Sequence, residues 1–140
     1  MNRQLILWPV LAMVLLVLIV WCRLYITRVR EMRARRISPQ ALATRASGRR
    51  ELVDSLPTAD NFSNLFELPV LFYVAAVLIY VADRVDGLYL LLAWAFVALR
   101  YAHSAIHVTY NRVMHRFPVY VLGALPLWAM WARLATQTFS

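Results

Sequence analysis

The chain has 140 residues, of which 62% are hydrophobic, and its formal net charge of +8 is carried by arginines with no lysine. This composition excludes an ordinary soluble domain, and the length favours one domain over a large soluble core with a separate membrane anchor. A single cysteine, Cys22, excludes an intramolecular disulfide. Because no nucleic-acid-binding motif accompanies the arginines, membrane lipid is a better partner for them than nucleic acid.

Four apolar segments predict membrane-spanning helices, over residues 5–25, 65–82, 87–108 and 117–134. A helix rises 1.5 Å per residue, so about 20 residues cross the hydrocarbon core of a bilayer. The first segment is longer than the apolar core of a signal peptide and is followed by arginines, so we expect it to be retained. The predicted fold is an all-α, integral membrane four-helix bundle that forms one domain over residues 1–140.

The charges of the connecting loops predict an orientation. The first connection, about 27–64, carries eight arginines, and the third carries Arg112 and Arg116. The positive-inside rule places both connections in the cytoplasm and both termini on the other side. The first connection is therefore predicted to be a basic, partly helical loop that contacts anionic lipid.

A polar stripe begins within the third apolar segment. Arg100, His103, His107 and Asn111 recur at helical spacing, so they share one face. Two histidines at i and i+4 also occur in helical zinc sites, but here the accompanying glutamate is missing. The stripe predicts either one wall of a cytoplasm-facing cleft or a hydrogen-bond network that only joins helices.

The second apolar segment supplies the expected partners of this stripe. Asn64 and Glu67 are three residues apart, and Glu67 is the only acidic residue within any predicted span. An arginine at membrane depth needs an acidic partner or water. We therefore expect Arg100 to lie near Glu67, within one subunit or across a subunit boundary.

Two short motifs resemble those of the MAPEG family, the membrane-associated proteins in eicosanoid and glutathione metabolism. Asn64-x-x-Glu67 resembles the family's Asn-x-x-Glu motif on helix two, and Arg100-x-x-His103-Ser104 resembles its Arg-x-x-His-Thr/Ser motif on helix three. The likeness covers about residues 60–116 and extends to the four-span layout. The segment after Glu67 resembles a bacterial branch, which implies a bacterial inner membrane.

The resemblance implies a homotrimer that binds glutathione between neighbouring subunits near the cytoplasmic face. The reaction implied is conjugation to an apolar electrophile or reduction of a lipid hydroperoxide. Arg112 or Arg116 would match the arginine that stabilises the thiolate. The residues that the resemblance assigns to glutathione binding are Arg28 or Arg30, Asn64, Glu67, Arg100, Tyr101 and His103.

One position departs from the family pattern. Asp60 lies four residues before Asn64, where family enzymes commonly have an arginine that helps to bind glutathione. Two alternatives to a glutathione-dependent enzyme therefore stay open. The cleft could bind a lipid or another small molecule without glutathione chemistry, or the chain could be a structural or partner-binding membrane subunit.

Overall fold

The structure is a computed structural model that describes residues 2–139, with the side chain of Arg45 left out. These residues form six α-helices, which are α1 (Leu7–Arg35), α2 (Arg45–Glu51), α3 (Leu56–Asn64), α4 (Leu68–Val81), α5 (Gly87–Val108) and α6 (Val113–Phe139). Short 3₁₀ turns occupy Arg3–Ile6 and Pro39–Leu42. Four stretches are long and apolar enough to cross a membrane, and α3 and α4 together make one of them. The predicted all-α class with four long apolar helices is confirmed.

The first and last long helices extend beyond the segments predicted for them. Helix α1 continues through the basic residues and ends at Arg36, which has a left-handed backbone with φ 53°. Pro39 follows at the start of a 3₁₀ turn, where its fixed φ suits a new helical turn. The C-terminal part of α1 is therefore a basic helical extension beyond the predicted apolar segment.

The second predicted span is two helices with a break between them. The chain leaves helical geometry at 65–67, and Glu67 has φ −100° and ψ −103° before α4 begins. Pro69 lies in the first turn of α4, where its missing N–H has no helical partner to lose. Helices α3 and α4 are therefore separated by a three-residue break.

Large apolar side chains form the centre of the bundle, and the outer surface is also apolar. Phe72 of α4 stacks on Phe96 of α5 with ring centroids 4.7 Å apart, and both are fully buried. Met13 and Met130 are fully buried in α1 and α6. Trp8, Leu11, Leu91 and Trp128 are among the exposed residues. An apolar surface of this extent is expected where helices face lipid.

A buried carboxylate fixes the start of α3 against α1. Glu31 accepts hydrogen bonds from the backbone N–H groups of Asp54 at 2.9 Å and Ser55 at 3.0 Å, and its side chain is 2% exposed. Arg35 lies 3.6 Å from Glu31 and 3.2 Å from Asp54. These bonds satisfy the N–H groups of the two residues that precede α3, and they position α3 for the contacts described next.

Candidate polar site at one end of the bundle

Helix α5 turns its polar stripe into the protein. Arg100 and His107 are each 1% exposed, and His103 and Ser104 are 4% and 3% exposed. The apolar residues Ala93, Phe96 and Val97 continue the same buried face one to two turns earlier. Helical periodicity therefore brings the polar groups inward, away from the lipid-facing surface.

Helix α3 contributes two asparagines to this site. The Ser104 hydroxyl donates to Asn61 Oδ1 at 3.1 Å, and Asn64 Nδ2 lies 3.5 Å from His107 Nε2. Asn61 is fully buried. The sequence analysis included Asn64 but missed Asn61. The spacing Asn61-x-x-Asn64 is a signal that could have identified it, because residues three apart share a helix face.

The start of α6 contributes Arg116. Its Nη1 lies 2.9 Å from His107 Nε2 and donates to Asn111 Oδ1 at 2.6 Å. Asn111 adopts φ 48° in the tight connection between α5 and α6, a conformation that asparagine tolerates better than most residues. The turn thus places an amide oxygen where it orients the guanidinium.

These contacts assign the protons of both histidines. A guanidinium only donates, so His107 Nε2 accepts and the ring proton is on Nδ1. His103 Nδ1 lies 3.2 Å from the carbonyl oxygen of Arg116, which only accepts, so His103 carries its proton on Nδ1. The Nε2 atom of neutral His103 is then an acceptor.

Arg100 is buried between aromatic rings. Its Cζ lies 4.7 Å from the centroid of Tyr120 and 5.3 Å from that of Phe96. A Cβ added at Gly123 would lie 3.9 Å from Arg100 Nε, so the backbone of α6 is close to the guanidinium. Both rings offer the guanidinium cation–π stabilisation.

Several buried polar atoms of the site have no hydrogen-bond partner among the described residues. They are Arg100 Nε and Nη2, His107 Nδ1, Asn61 Nδ2 and His103 Nε2. Leaving a buried donor unpaired costs about 1–3 kcal/mol, and native proteins rarely accept this several times in one place. With the tautomers above, His103 Nε2 is the one acceptor among these atoms and the others are donors. The cluster is suited to an electron-rich ligand or water.

Arg100 and Glu67 form no ion pair within residues 2–139, and their proximity across a subunit boundary stays a prediction. The ion pairs found within residues 2–139 join other side chains, and Glu67 is exposed at the start of α4. The spacing of three residues predicts one helix face for Asn64 and Glu67, but the chain leaves the helix between them, so they do not share a face. Asn64 turns toward His107, whereas Glu67 faces outward.

The other predicted site residues lie around this cluster in different positions. The Tyr101 hydroxyl donates to the Ala12 carbonyl at 2.8 Å, so it joins α5 to α1. Arg28, Arg30 and Arg112 are exposed, and within the described part of the chain their side chains form no hydrogen bond or ion pair. The structure does not bring them into the buried network.

The histidines do not belong to a three-ligand metal group. Their ring centroids are 5.6 Å apart. Within residues 2–139, no three His, Cys, Asp or Glu side chains are placed to hold a metal ion.

At the opposite end of the bundle, α5 and α6 are joined by a satisfied polar cluster. Asp86 caps α5 by accepting the N–H of Tyr89 at 2.9 Å, and it forms an ion pair with both terminal nitrogens of Arg133. The Tyr89 hydroxyl donates to Gln137 at 2.8 Å, and Arg133 Cζ lies 4.3 Å from the Tyr89 ring centroid. The hydrogen bond from Arg133 lowers the pKa of Asp86 from 3.8 to about 2.

Comparison with known proteins adds a family assignment to this geometry. The model of the MAPEG family matches residues 6–136. No curated protein and no solved structure matches the chain. The match covers nearly the whole chain and includes every helix that contributes to the polar site. The chain therefore belongs to the MAPEG family, as an integral membrane protein of four long apolar helices.

Proposed function

We propose that this protein is a glutathione-dependent transferase or peroxidase that acts on an apolar electrophile or a lipid hydroperoxide. The observation that carries the proposal is the position of Arg116. Its contacts with His107 and Asn111 use Nη1 alone, so Nε and Nη2 keep donors for a ligand. Arg116 is half-buried at the start of α6. In this proposal glutathione reaches it from water and the apolar acceptor reaches it from lipid.

A guanidinium in this position supports thiol chemistry. The thiolate of glutathione is the nucleophile, and a nearby positive charge lowers the thiol pKa by favouring the anion. In conjugation, the thiolate sulfur forms the C–S bond and the leaving group departs with its electron pair. In peroxide reduction, two glutathione thiols supply two electrons and two protons, and the products are an alcohol, water and glutathione disulfide.

The exposed arginines suit the two carboxylates of glutathione. Arginine binds carboxylates through two parallel hydrogen bonds, and the side chains of Arg28, Arg30 and Arg112 are exposed around the cytoplasmic ends of α1 and α5. The proposed assembly is a homotrimer in the bacterial inner membrane. Glutathione would lie between subunits, and both chain termini would be on the non-cytoplasmic side.

Within the proposed site, the predicted residues have different roles. Arg116 is the better candidate for thiolate stabilisation, because it is held by two contacts, and Arg112 is the exposed alternative. Arg100 and His103 supply unpaired buried atoms, and Asn64 and Glu67 flank the break before α4. The Tyr101 hydroxyl already has a partner, so its contribution is to orient α5.

The test combines binding and turnover in purified protein. Calorimetry should detect glutathione binding, and turnover should be measured with an aryl halide. Arg116→Ala should lower turnover by about 100-fold, the scale for removing a donor that stabilises a developing anion, with a smaller effect on binding. Arg33→Ala, an exposed arginine of the basic α1 extension, is the control and should retain turnover.

Either of two results would overturn the proposal. One is the absence of binding heat with glutathione in the wild-type protein. The other is full turnover in both Arg116→Ala and Arg112→Ala, because no candidate arginine would then stabilise the thiolate.

A second function, binding of another small molecule without glutathione chemistry, is favoured by Asp60. This carboxylate lies 2.9 Å from Arg49, so it neutralises a cation near the position where family enzymes place an arginine. Asp60→Arg separates the two functions. If glutathione is the ligand, this variant should bind it more tightly than wild type. An unchanged absence of binding in both proteins would favour the second function.

A further inference from the structure

A shallow groove of about 560 Å³ runs along the outer face of α1. One end is lined by the apolar residues Leu18, Ile19 and Cys22, whereas the other end is lined by Arg23, Ile26, Thr27 and Arg30. At 1.5 Å per residue, Leu18 and Arg30 are about 18 Å apart along the helix. The groove therefore changes from apolar to cationic along the direction that crosses the membrane.

A contact with α5 shows where the cationic part lies relative to the bilayer. Arg23 Nη2 donates to the carbonyl oxygen of Val108 at 2.6 Å, and Val108 is the last residue of α5. The span of α5 ends at this level, so Arg23 lies near the boundary between hydrocarbon and headgroups. Arg30 lies almost two turns further toward water.

The groove carries positive charge that the chain itself does not neutralise. None of the residues that line it is acidic. Within residues 2–139, Arg23 uses only Nη2 in a hydrogen bond, and the Arg30 side chain uses none. The Arg23 Nε and Nη1 groups and the whole Arg30 guanidinium are therefore donors for a phosphate, which arginine binds strongly in a charge-assisted contact.

We propose that this groove is a binding site for one anionic phospholipid of the leaflet at this end of the bundle. The phosphate contacts Arg23 and Arg30, and an acyl chain lies against Leu18 and Ile19. Apolar side chains at hydrocarbon depth and two uncompensated cations at the headgroup level match the two parts of an anionic lipid. A zwitterionic lipid would leave the net positive charge of the groove unbalanced. The groove is separate from the Arg116 cluster, and because Arg30 is also a candidate for a glutathione carboxylate, lipid binding is tested without glutathione.

Cys22 makes the groove directly measurable, because it is the only cysteine in the chain and it is exposed there. The experiment measures the alkylation rate of Cys22 by a membrane-permeant maleimide, without glutathione. The protein is held in nanodiscs of phosphatidylcholine alone or of phosphatidylcholine with phosphatidylglycerol. We expect phosphatidylglycerol to slow alkylation about fivefold, on the scale of one arginine at an anionic surface. Native mass spectrometry should show one retained phosphatidylglycerol per chain.

The variants separate a specific site from general attraction to a charged membrane. Arg30→Gln and Arg23→Gln should each remove the protection, whereas Arg28→Gln should keep it. Arg28 is exposed at an intermediate depth on α1 but does not line the groove. Because Arg23→Gln also removes the bond to Val108, Arg30→Gln is the decisive variant.

Three outcomes would overturn the proposal. They are equal alkylation rates of the wild type in both lipid mixtures, an equal loss of protection in Arg28→Gln, and protection that depends on protein concentration instead of lipid. The last would mean that a second copy of the chain covers the groove.

Discussion

The two ends of the bundle hold polar side chains in different ways. Near the non-cytoplasmic end of the predicted topology, Asp86, Arg133, Tyr89 and Gln137 satisfy one another across α5 and α6. Near the other end, buried nitrogen atoms of Arg100, His103 and His107 have no partner among the described residues. Helices α5 and α6 thus carry a polar cluster whose hydrogen bonds are complete at one end and a polar network with unpaired atoms at the other.

This difference separates a structural role from a functional one. Hydrogen bonds that are complete within the chain stabilise the contact between helices and need no ligand. Unpaired buried donors reduce stability, and a protein that retains them is expected to use them. The Asp86 cluster is therefore a means of joining helices, whereas the Arg100 cluster is the candidate site.

The largest expected effect comes from replacing the buried arginine with a long apolar residue. Arg100→Met should lower glutathione-dependent turnover by about 100-fold or more, since the unpaired guanidinium donors are lost. The free energy of unfolding should stay equal or rise by up to about 4 kcal/mol. A buried charge that forms no ion pair among the described residues is replaced by a well-packed apolar side chain. A turnover assay checks the expected loss of activity, and the unfolding midpoint in detergent checks the expected stability.

Arg133→Met is the matched variant at the other end. It removes the partner of Asp86 and should lower stability without the loss of turnover seen in Arg100→Met. If Arg100→Met proves the more destabilising of the two, Arg100 is structural and the contrast between the ends fails.

The next largest effect on stability is expected at Glu31, which positions α3 beside the site. Glu31→Ala leaves the N–H groups of Asp54 and Ser55 without their acceptor, which should cost about 1–3 kcal/mol. Hydrogen exchange should accelerate at these two amides and along α3. Glu51→Ala removes an exposed carboxylate from the end of α2 and should change neither property. Equal exchange in the two variants would mean that Glu31 does not hold α3.

The smallest effect on stability is expected at the ion pair between Asp86 and Arg133, because the Asp86 carboxylate is 42% exposed and solvent screens the pair. Asp86→Asn should lower stability by about 0.2–1 kcal/mol, the range for exposed pairs. Because the hydrogen bond from Arg133 lowers the pKa of Asp86 from 3.8 to about 2, the contribution is complete above pH 3.8 and is lost as the pH falls toward 2.

The pH dependence can be checked with a neighbouring aspartate. The unfolding midpoints of wild type and Asp86→Asn should differ at neutral pH and converge below pH 3.8. Asp83→Asn changes an exposed carboxylate of the same connection and should follow wild type at both pH values. A difference that persists at acid pH would show that the ion pair is not its cause.

Local sequence patterns were sufficient for the helices and for one wall of the site. Apolar runs longer than a membrane span predicted four long helices, because a helix satisfies its own backbone inside lipid. The period of 3.6 residues predicted that Arg100, His103 and His107 share a face of α5. Both inferences depend on short-range geometry, which neighbouring residues largely determine.

The partners of these groups depended on how the helices pack. Glu67 was the expected partner of Arg100 as the only acidic residue in a predicted span, but it is exposed after the break at 65–67 and forms no ion pair among the described residues. Tyr120 and Phe96 surround Arg100 instead, and Asn61 reaches Ser104 because Glu31 holds the start of α3. These contacts join residues far apart in the chain, so their geometry follows from helix directions that no local pattern contains. The amino-acid order thus established the family, the helices and the polar face of α5. Helix packing established which atoms of that polar face have hydrogen-bond partners and which remain available to a ligand.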